Sequence, residues 1–454
     1  MTEFVPGRAR TMSGPMALGA ALVLVAGTAG VAQAVPGQVP HGARDTGAFS
    51  STRAFAAPTQ ARNVPSIPAG TTRGSTPWTT SWTGAWTASP QRLVDSPDFS
   101  GTTLRLLMHP TIGGSGLRIR LANTFGDEQQ TFTAVNVAVA VSASTAELVP
   151  GTSRPVLFGK RATTTVAAGG KTVSDPLDLP VRYGQTLAVD LTVPSAPRTV
   201  TGHASANQVS FLARGEHAGE ETAEAFDTQL SSWYWLNGLD VGRTASGRGS
   251  IVALGDSITD GAYATWNGNR RWTDDLAERL QKLPAQRRHG VLNAGIGGNQ
   301  VLRYRGDCCG TSESALARLD RDVLAQTDAR WAVVVDGIND IGGANPEPEE
   351  LIEGLRQIAV QSHDAGLKVA LATITPYGCD SGCFDPARER NRQTVNEWIR
   401  TTDQAQAVLD FDRALRDPKA TDHLLPTYDS GDHLHPNTDG YQAMADSIDL
   451  RIFR

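Results

Sequence analysis

The chain has 454 residues and a formal net charge of -6, with acidic and basic side chains interspersed rather than in blocks. That pattern excludes the basic stripe of a nucleic-acid binder and the polybasic patch of a membrane-surface protein. The length is ample for about two or three domains with cores of their own.

Arg8 and Arg10 precede the apolar run "MALGAALVLVAGTAGVAQA", which ends in the small-x-small pattern Ala32-Gln33-Ala34. Residues 1–34 therefore read as a secretory signal peptide; the run is short and rich in Gly and Ala for an uncleaved anchor. No later segment approaches the roughly 18 consecutive apolar residues of a spanning helix. A secreted mature protein without a membrane span is expected. Residues 35–75 are rich in Pro, Gly, Ser, Thr and Ala without apolar periodicity, the composition of a flexible linker.

From 76 to 245 the texture is β. "LRIRL" (117–121) and "VNVAVAV" (135–141) alternate with period two, and "GQTLAVDLTV" follows a turn-like glycine. Short strands between Gly, Pro and Ser clusters predict an all-β sandwich or jelly-roll domain. Trp78, Trp82 and Trp86 recur every four residues, on one face of an extended strand. Such rings can stack on sugars, but filling a core or a domain contact is the commoner use. Trp233 and Trp235 are expected to pack at the domain junction.

From 250 to 454 the pattern changes. "SIVALG", "HGVLNAG", "RWAVVVDG", "KVALATIT" and "QAVLDF" read as strands. They alternate with helical runs "WTDDLAERLQKL", "SALARLDRDVLAQ", "PEELIEGLRQIAVQSHDAG" and "DPARERNRQTVNEWIRT". Apolar strands alternating with helices predict an α/β domain with a parallel sheet covered on both faces, whose sites lie at the carboxyl ends of the strands.

Ser257, in "ALGDSITDG", follows the first strand at a turn into a helix, a place that suits a nucleophile and its oxyanion but equally an N-cap serine. The spacing is not the G-x-S-x-G of a nucleophile elbow. A serine needs a base, and the base an orienting group. In "YDSGDHLHPN", Asp432 and His435 are spaced so that the carboxylate can reach one ring nitrogen while the other faces substrate; His433 should diverge from them. An oxyanion needs donors. "NAGIGGN" is rich enough in Gly for a close backbone N–H, and Asn339 in "GIND" can donate its amide. Gly295, Gly297 and Gly298 do not complete a dinucleotide fingerprint, which would need glycine at Gln300.

The four cysteines fit an oxidising compartment. Cys379 and Cys383 are spaced for a small disulfide loop and Cys308 adjoins Cys309, but the pairing stays open. Neither pair has metal-site spacing, so no metal is expected.

"GDSITDG", the glycine of "GIGGN", the Asn of "GIND" and the pair in "DHLH" resemble, in order, the four sequence blocks of the SGNH (GDSL) hydrolase superfamily. The resemblance implies a flavodoxin-like three-layer sandwich over 250–454, no cofactor, and a serine esterase. Residue by residue, it makes Ser257 the nucleophile and a backbone oxyanion donor, and Gly298 the second donor, with Gly295 or Gly297 if the register slips. It makes Asn339 the side-chain donor, and Asp432 with His435 the rest of a triad. A finer resemblance is to secreted actinobacterial members with a β-rich domain, grouped with an arylesterase-like subfamily associated with xylan degradation. Short acyl or acetyl esters, small or on plant polysaccharide, are the expected substrates. A lipase on longer-chain lipid esters and a non-catalytic carbohydrate-binding protein are the alternatives. "DCCG" and "GCDSGC" depart from the family pattern, and Asp256 and Asp260 are expected to brace the turn.

Overall fold

A computed structural model describes residues 81–242, 248–305, 313–379 and 383–454. The signal-peptide and linker expectations, Trp78, Cys308 and Cys309 fall outside these residues.

Between Trp82 and Gly242 every strand pairing is antiparallel. One sheet runs Trp82–Thr87, Leu236–Gly242, Leu117–Ala122, Lys171–Val173 in spatial order. A larger one contains Ser210–Arg214, Thr102–Met108, Leu187–Val193 and Ala134–Val139 as neighbours. Alternation explains Leu117–Ala122: Leu117, Ile119 and Leu121 are buried in the core while Arg118 and Arg120 lie on the other face, where Arg120 reaches Gln326. They share one core with Leu104, Leu106 and Val189 of the larger sheet. Thr102–Met108 and Leu187–Val193 are instead buried throughout, because Leu107 and Ala188 enter a second apolar cluster on the opposite face. Across that face Arg105 and Asp190 sit opposite each other in register and form a buried two-point ion pair with 2.8 Å contacts.

The remaining chain builds a parallel sheet from β1 (Ser250–Gly255), β2 (Gly290–Gly295), β3 (Ala329–Val335), β4 (Lys368–Ala372) and β5 (Ala407–Leu409). Its spatial order is β2-β1-β3-β4-β5. The order reverses between β1 and β3, so the loops leaving β1, β2 and β3 diverge around one crevice. The helices are α1 (Ser257–Asp260), α2 (Trp272–Gln281), α3 (Ala315–Leu319), α4 (Ile338–Gly342), α5 (Pro348–Asp364), α6 (Pro386–Thr401), α7 (Phe411–Leu415) and α8 (Thr438–Ser447). α5 follows the expected logic, with proline in its first turn and Leu351, Leu355, Ile358 and Ala359 forming its buried stripe. α6 begins at Pro386 behind Asp385, whose carboxylate accepts the Ala387 and Arg388 N–H groups.

Differences from the sequence reading cluster at element ends. β3, β4 and β5 stop two or three residues before "RWAVVVDG", "KVALATIT" and "QAVLDF" do. Thr373 and Asp410 bond each other beyond the sheet edge, and Asp410 caps α7. "SALARLDRDVLAQ" continues past α3 as a wider π-helical turn, Asp320–Leu324. α8 has no counterpart in the sequence reading; Asn437 caps it immediately after the histidine pair.

The described residues fall within one compact unit, and the contact across it explains a pair of glycines. β2 is an edge strand of the parallel sheet, and such an edge needs covering. Thr111 of the all-β region meets it, its Oγ1 accepting the Val291 N–H at 2.9 Å and donating to Val291 O, while in the strand Trp82–Thr87 the Gly84 N–H donates to Thr327 O at 3.1 Å and Gly84 O accepts from Ser250 Oγ. A methyl group at Gly290 would lie 2.2 Å from the Gly84 carbonyl oxygen. Gly290→Ala should therefore destabilise the protein by about 1–3 kcal/mol, read as a lower urea midpoint.

Candidate active site

Ser257 is the first residue of α1, directly after β1. The capping residue is not Ser257 but Asp256, whose carboxylate accepts the Ile258 N–H at 2.8 Å. Relieved of capping, the Ser257 hydroxyl turns to His435, with Oγ 2.8 Å from Nε2. On the other side of the ring, Nδ1 lies 2.6 Å from Asp432 Oδ2. Asp432 is held by its own tight turn: Oδ1 accepts from the Leu434 and His435 N–H groups and from Ser430 Oγ. Partial burial opposes the charge of Asp432, but these bonds and the His435 ring hold its carboxyl well below the usual carboxylate range. His433 diverges as expected and bonds Asp429 at 2.7 Å.

The loop after β2 narrows the choice of glycine. The Gly295 N–H donates to Asn293 Oδ1 at 2.9 Å and the Gly297 N–H to Asp260 Oδ2 at 3.2 Å, so both are occupied. Gly298 adopts φ +74°, a left-handed conformation that favours glycine. Its N–H has no intramolecular acceptor among the described residues, and it lines the same cleft as Ser257. Asn339, in α4, gives one amide hydrogen to the Asn299 carbonyl at 3.0 Å, while Arg305 lies 3.4 Å from its Oδ1. The amide is thereby oriented with a second hydrogen available to the cleft. The residues singled out in four separate stretches of sequence are thus brought together at one end of the parallel sheet.

Residues 253–443 match the model of the GDSL-like Lipase/Acylhydrolase family. This part of the chain is a GDSL-like hydrolase domain. The activity that belongs to it is the hydrolysis of carboxylic esters. Among curated proteins no sequence matches the chain. Among solved structures it is similar to a putative lipolytic protein of the G-D-S-L family from Desulfitobacterium hafniense DCB-2, with 20% identity, 46% of this chain and 99% of that chain covered, and TM-score 0.35. It is also similar to a GDSL-like lipase from Bacteroides thetaiotaomicron VPI-5482 (19%; 45% and 87% covered; TM-score 0.33) and to the acetylxylan esterase Axe2 from Geobacillus stearothermophilus (22%; 46% and 96% covered; TM-score 0.34).

The cleft of the GDSL domain measures about 510 Å³. Ala204, Ser205, Asn207 and Ser231 of the all-β region form part of its wall. The all-β region also holds the rim loop that follows α1. Asn207 donates to Gly261 O and Ala264 O, and the Val209 N–H donates to Asn267 Oδ1 at 2.7 Å. These bonds stabilise left-handed backbone at Tyr263 and Asn267. Tyr263 stands exposed with its ring 5.4 Å from that of His435.

Residues the sequence reading passed over hold the loops in place. Arg318, fully buried, donates to Gly255 O at 2.9 Å, Ala294 O at 2.7 Å and Asn299 Oδ1 at 2.6 Å, and pairs with Asp322. Asp340 accepts the Val301 and Leu302 N–H groups. A signal for Arg318 was present: with Asp322 it forms an i,i+4 pair inside the apolar stripe of Ala315, Leu319 and Val323. Trp86 and Trp233 pack edge to face with centroids 4.9 Å apart, and Arg271 of the GDSL domain lies over Trp233. Trp235 is not at the junction; it packs in the β core against Phe99 and Phe132. Trp82 and Trp86 are offset by an irregularity in strand pairing, so they do not make one continuous face. Cys379 and Cys383 are joined by a disulfide.

Behind Ser257 lie three buried carboxyls. Burial pushes Asp256 up to about 7 against the pull of the Ile258 N–H, and Asp340 up to about 6. Burial and its two acidic neighbours raise Asp336 well above its ordinary value, and its Oδ2 has no hydrogen-bond partner among the described residues. Carboxyls raised in the folded state keep protons that the unfolded chain releases. The stability they allow is present below about pH 4 and declines as pH rises toward 7. Asp336→Asn should leave stability near pH 4 almost unchanged and raise it at pH 8 by about 1–3 kcal/mol, measured by chemical denaturation at both pH values.

Proposed function

We propose that the chain is a secreted serine esterase acting on short acyl or acetyl esters, small or borne on plant polysaccharide, through an acyl-enzyme. The observation that carries the mechanism is the run Asp432–His435–Ser257, with contacts of 2.6 and 2.8 Å, beside two N–H groups and an amide aimed at one cleft. His435 Nε2 takes the Ser257 proton as Oγ attacks the ester carbonyl, and Asp432 stabilises the imidazolium that forms. The Ser257 and Gly298 N–H groups and Asn339 Nδ2 receive the oxyanion. On collapse the alcohol leaves with the proton from His435, and water, activated by the same ring, releases the acid.

The cleft wall includes Ser205 and Ser231, whose hydroxyls suit a hydroxylated alcohol such as a sugar. Secretion rests on the character of residues 1–34. The all-β region is read as a sandwich, its two larger sheets sharing one core, and its part in the cleft wall favours an esterase over a carbohydrate-binding protein with an inert partner domain.

Ser257→Ala should lower kcat on p-nitrophenyl acetate by at least about 10⁴-fold, and Asn339→Ala by about 10²–10³-fold. Retained turnover in Ser257→Ala would remove the serine mechanism. Across a panel of acetylated xylan and short- and long-chain p-nitrophenyl esters, acetyl esters should be turned over fastest; exclusive use of long chains would make the enzyme a lipase. Because Asp432 is held well below the usual range it stays ionised through mild acid. kcat/KM should fall on acidification, since His435 Nε2 must be free of a proton to accept that of Ser257, and a profile flat well into acid would exclude His435 as base.

A further inference from the structure

One buried imidazole outside the triad touches the oxyanion loop through a single carboxylate. His203 ends the strand Val200–His203 of the all-β region and is 3% exposed. Its Nδ1 lies 3.0 Å from the Ser89 carbonyl oxygen and its Nε2 lies 2.8 Å from Asp260 Oδ1. A peptide carbonyl only accepts, and so does an ionised carboxylate. With both contacts made to a carbonyl and an ionised carboxylate, both ring nitrogens carry hydrogen, which is the imidazolium form. Burial opposes that charge, but Asp260 and the Ser89 carbonyl outweigh it and raise the ring above its ordinary value.

Asp260 is well placed to pass this on. It is the last residue of α1, which Ser257 begins, and its second oxygen accepts the Gly297 N–H. Gly298 follows with its left-handed φ and its N–H open to the cleft. Bonded at Oδ1 by His203, the carboxylate cannot rotate without losing either the imidazolium or Gly297. The other charged groups around the ring have partners of their own. Arg271 donates to Asp260 O and Ala206 O and pairs with Asp274; Arg318 donates to Ser89 Oγ and pairs with Asp322; His109, across a small junction cavity, is pushed down by burial.

We propose that His203 is a positioning residue for the oxyanion hole: the all-β region supplies a buried cation that fixes Asp260, and through it the Gly297–Gly298 turn, so the hole is complete only while His203 is protonated. This rests on the reading of Gly298 as an oxyanion donor. Loss of one His203 proton at high pH removes the positive charge beside Asp260 and leaves the ring a single N–H for its two acceptors, so the hold on the carboxylate weakens and kcat falls while substrate binding is little affected.

The test uses the full chain. In the wild type, ¹⁵N-histidine NMR, with the His203 signal assigned by its loss in His203→Gln, should show both ring nitrogens protonated at the pH of maximal kcat. The ring should titrate together with an alkaline fall in kcat. In His203→Gln and Asp260→Asn, kcat on p-nitrophenyl acetate should drop on the order of 10²-fold with KM nearly unchanged, and the alkaline limb should move or vanish. A neutral His203 at the pH of maximal kcat overturns the proposal, and that measurement does not depend on any variant folding well. So does a cooperatively melting His203→Gln with the kcat and alkaline limb of the wild type. Ser257→Ala in parallel separates the two readings: if it is inactive while His203→Gln is fully active, the His203 inference alone fails. If Ser257→Ala is active, the site reading fails first.

Discussion

One fully buried guanidinium connects the strand ends around which the site is arranged. Arg318 joins the carbonyl ends of β1 and β2 through Gly255 and Ala294, and it holds the Asn299 side chain. The Asn299 backbone carbonyl in turn accepts from Asn339 of α4. A planar group with five donors suits this task, since each arm can meet a different acceptor in fixed geometry. The charge is tolerable in the interior because Asp322 neutralises it and because its acceptors are backbone and amide oxygens. The loops after β1, β2 and β3 are thereby referred to one rigid point.

Around that point the acids are sorted by environment. Asp432 sits in a turn with three donors on one oxygen and an imidazole on the other, and its charge is held. Asp256, Asp336 and Asp340 sit below Ser257, where burial, joined at Asp256 and Asp336 by their acidic neighbours, favours the neutral forms. The same residue type therefore holds an imidazole in one place and caps or anchors loops in another. The number of donors and the access of water decide between the two roles.

The all-β region is integral to this arrangement rather than an appendage. It covers the edge strand β2, contributes part of the cleft wall, holds the rim loop in left-handed backbone and places His203 against Asp260. Gly84 and Gly290 mark where the two backbones meet too closely for a side chain. The junction tryptophans follow the same logic: Trp86 and Trp233 are buried where aromatic area fills the seam, whereas Trp235 belongs to the β core.

The sequence alone determined the change from β to α/β texture, the parallel sheet with its helices, the candidate residues Ser257, Asn339, Asp432 and His435, and a glycine-rich loop in which Gly295, Gly297 and Gly298 stayed open. These were legible because they depend on local signals: period-two and helical patterning, glycine-rich loops after apolar strands, and a short Asp-to-His spacing. Only the tertiary structure decided that Asp256 rather than Ser257 is the cap, and that Gly295 and Gly297 are occupied so that Gly298 remains. It also revealed Arg318 and His203, whose partners are distant in sequence or lie on backbone carbonyls that carry no residue-specific signal. Periodicity reports which face of an element is buried. Which donor meets which acceptor inside that burial is set by the packing of distant segments.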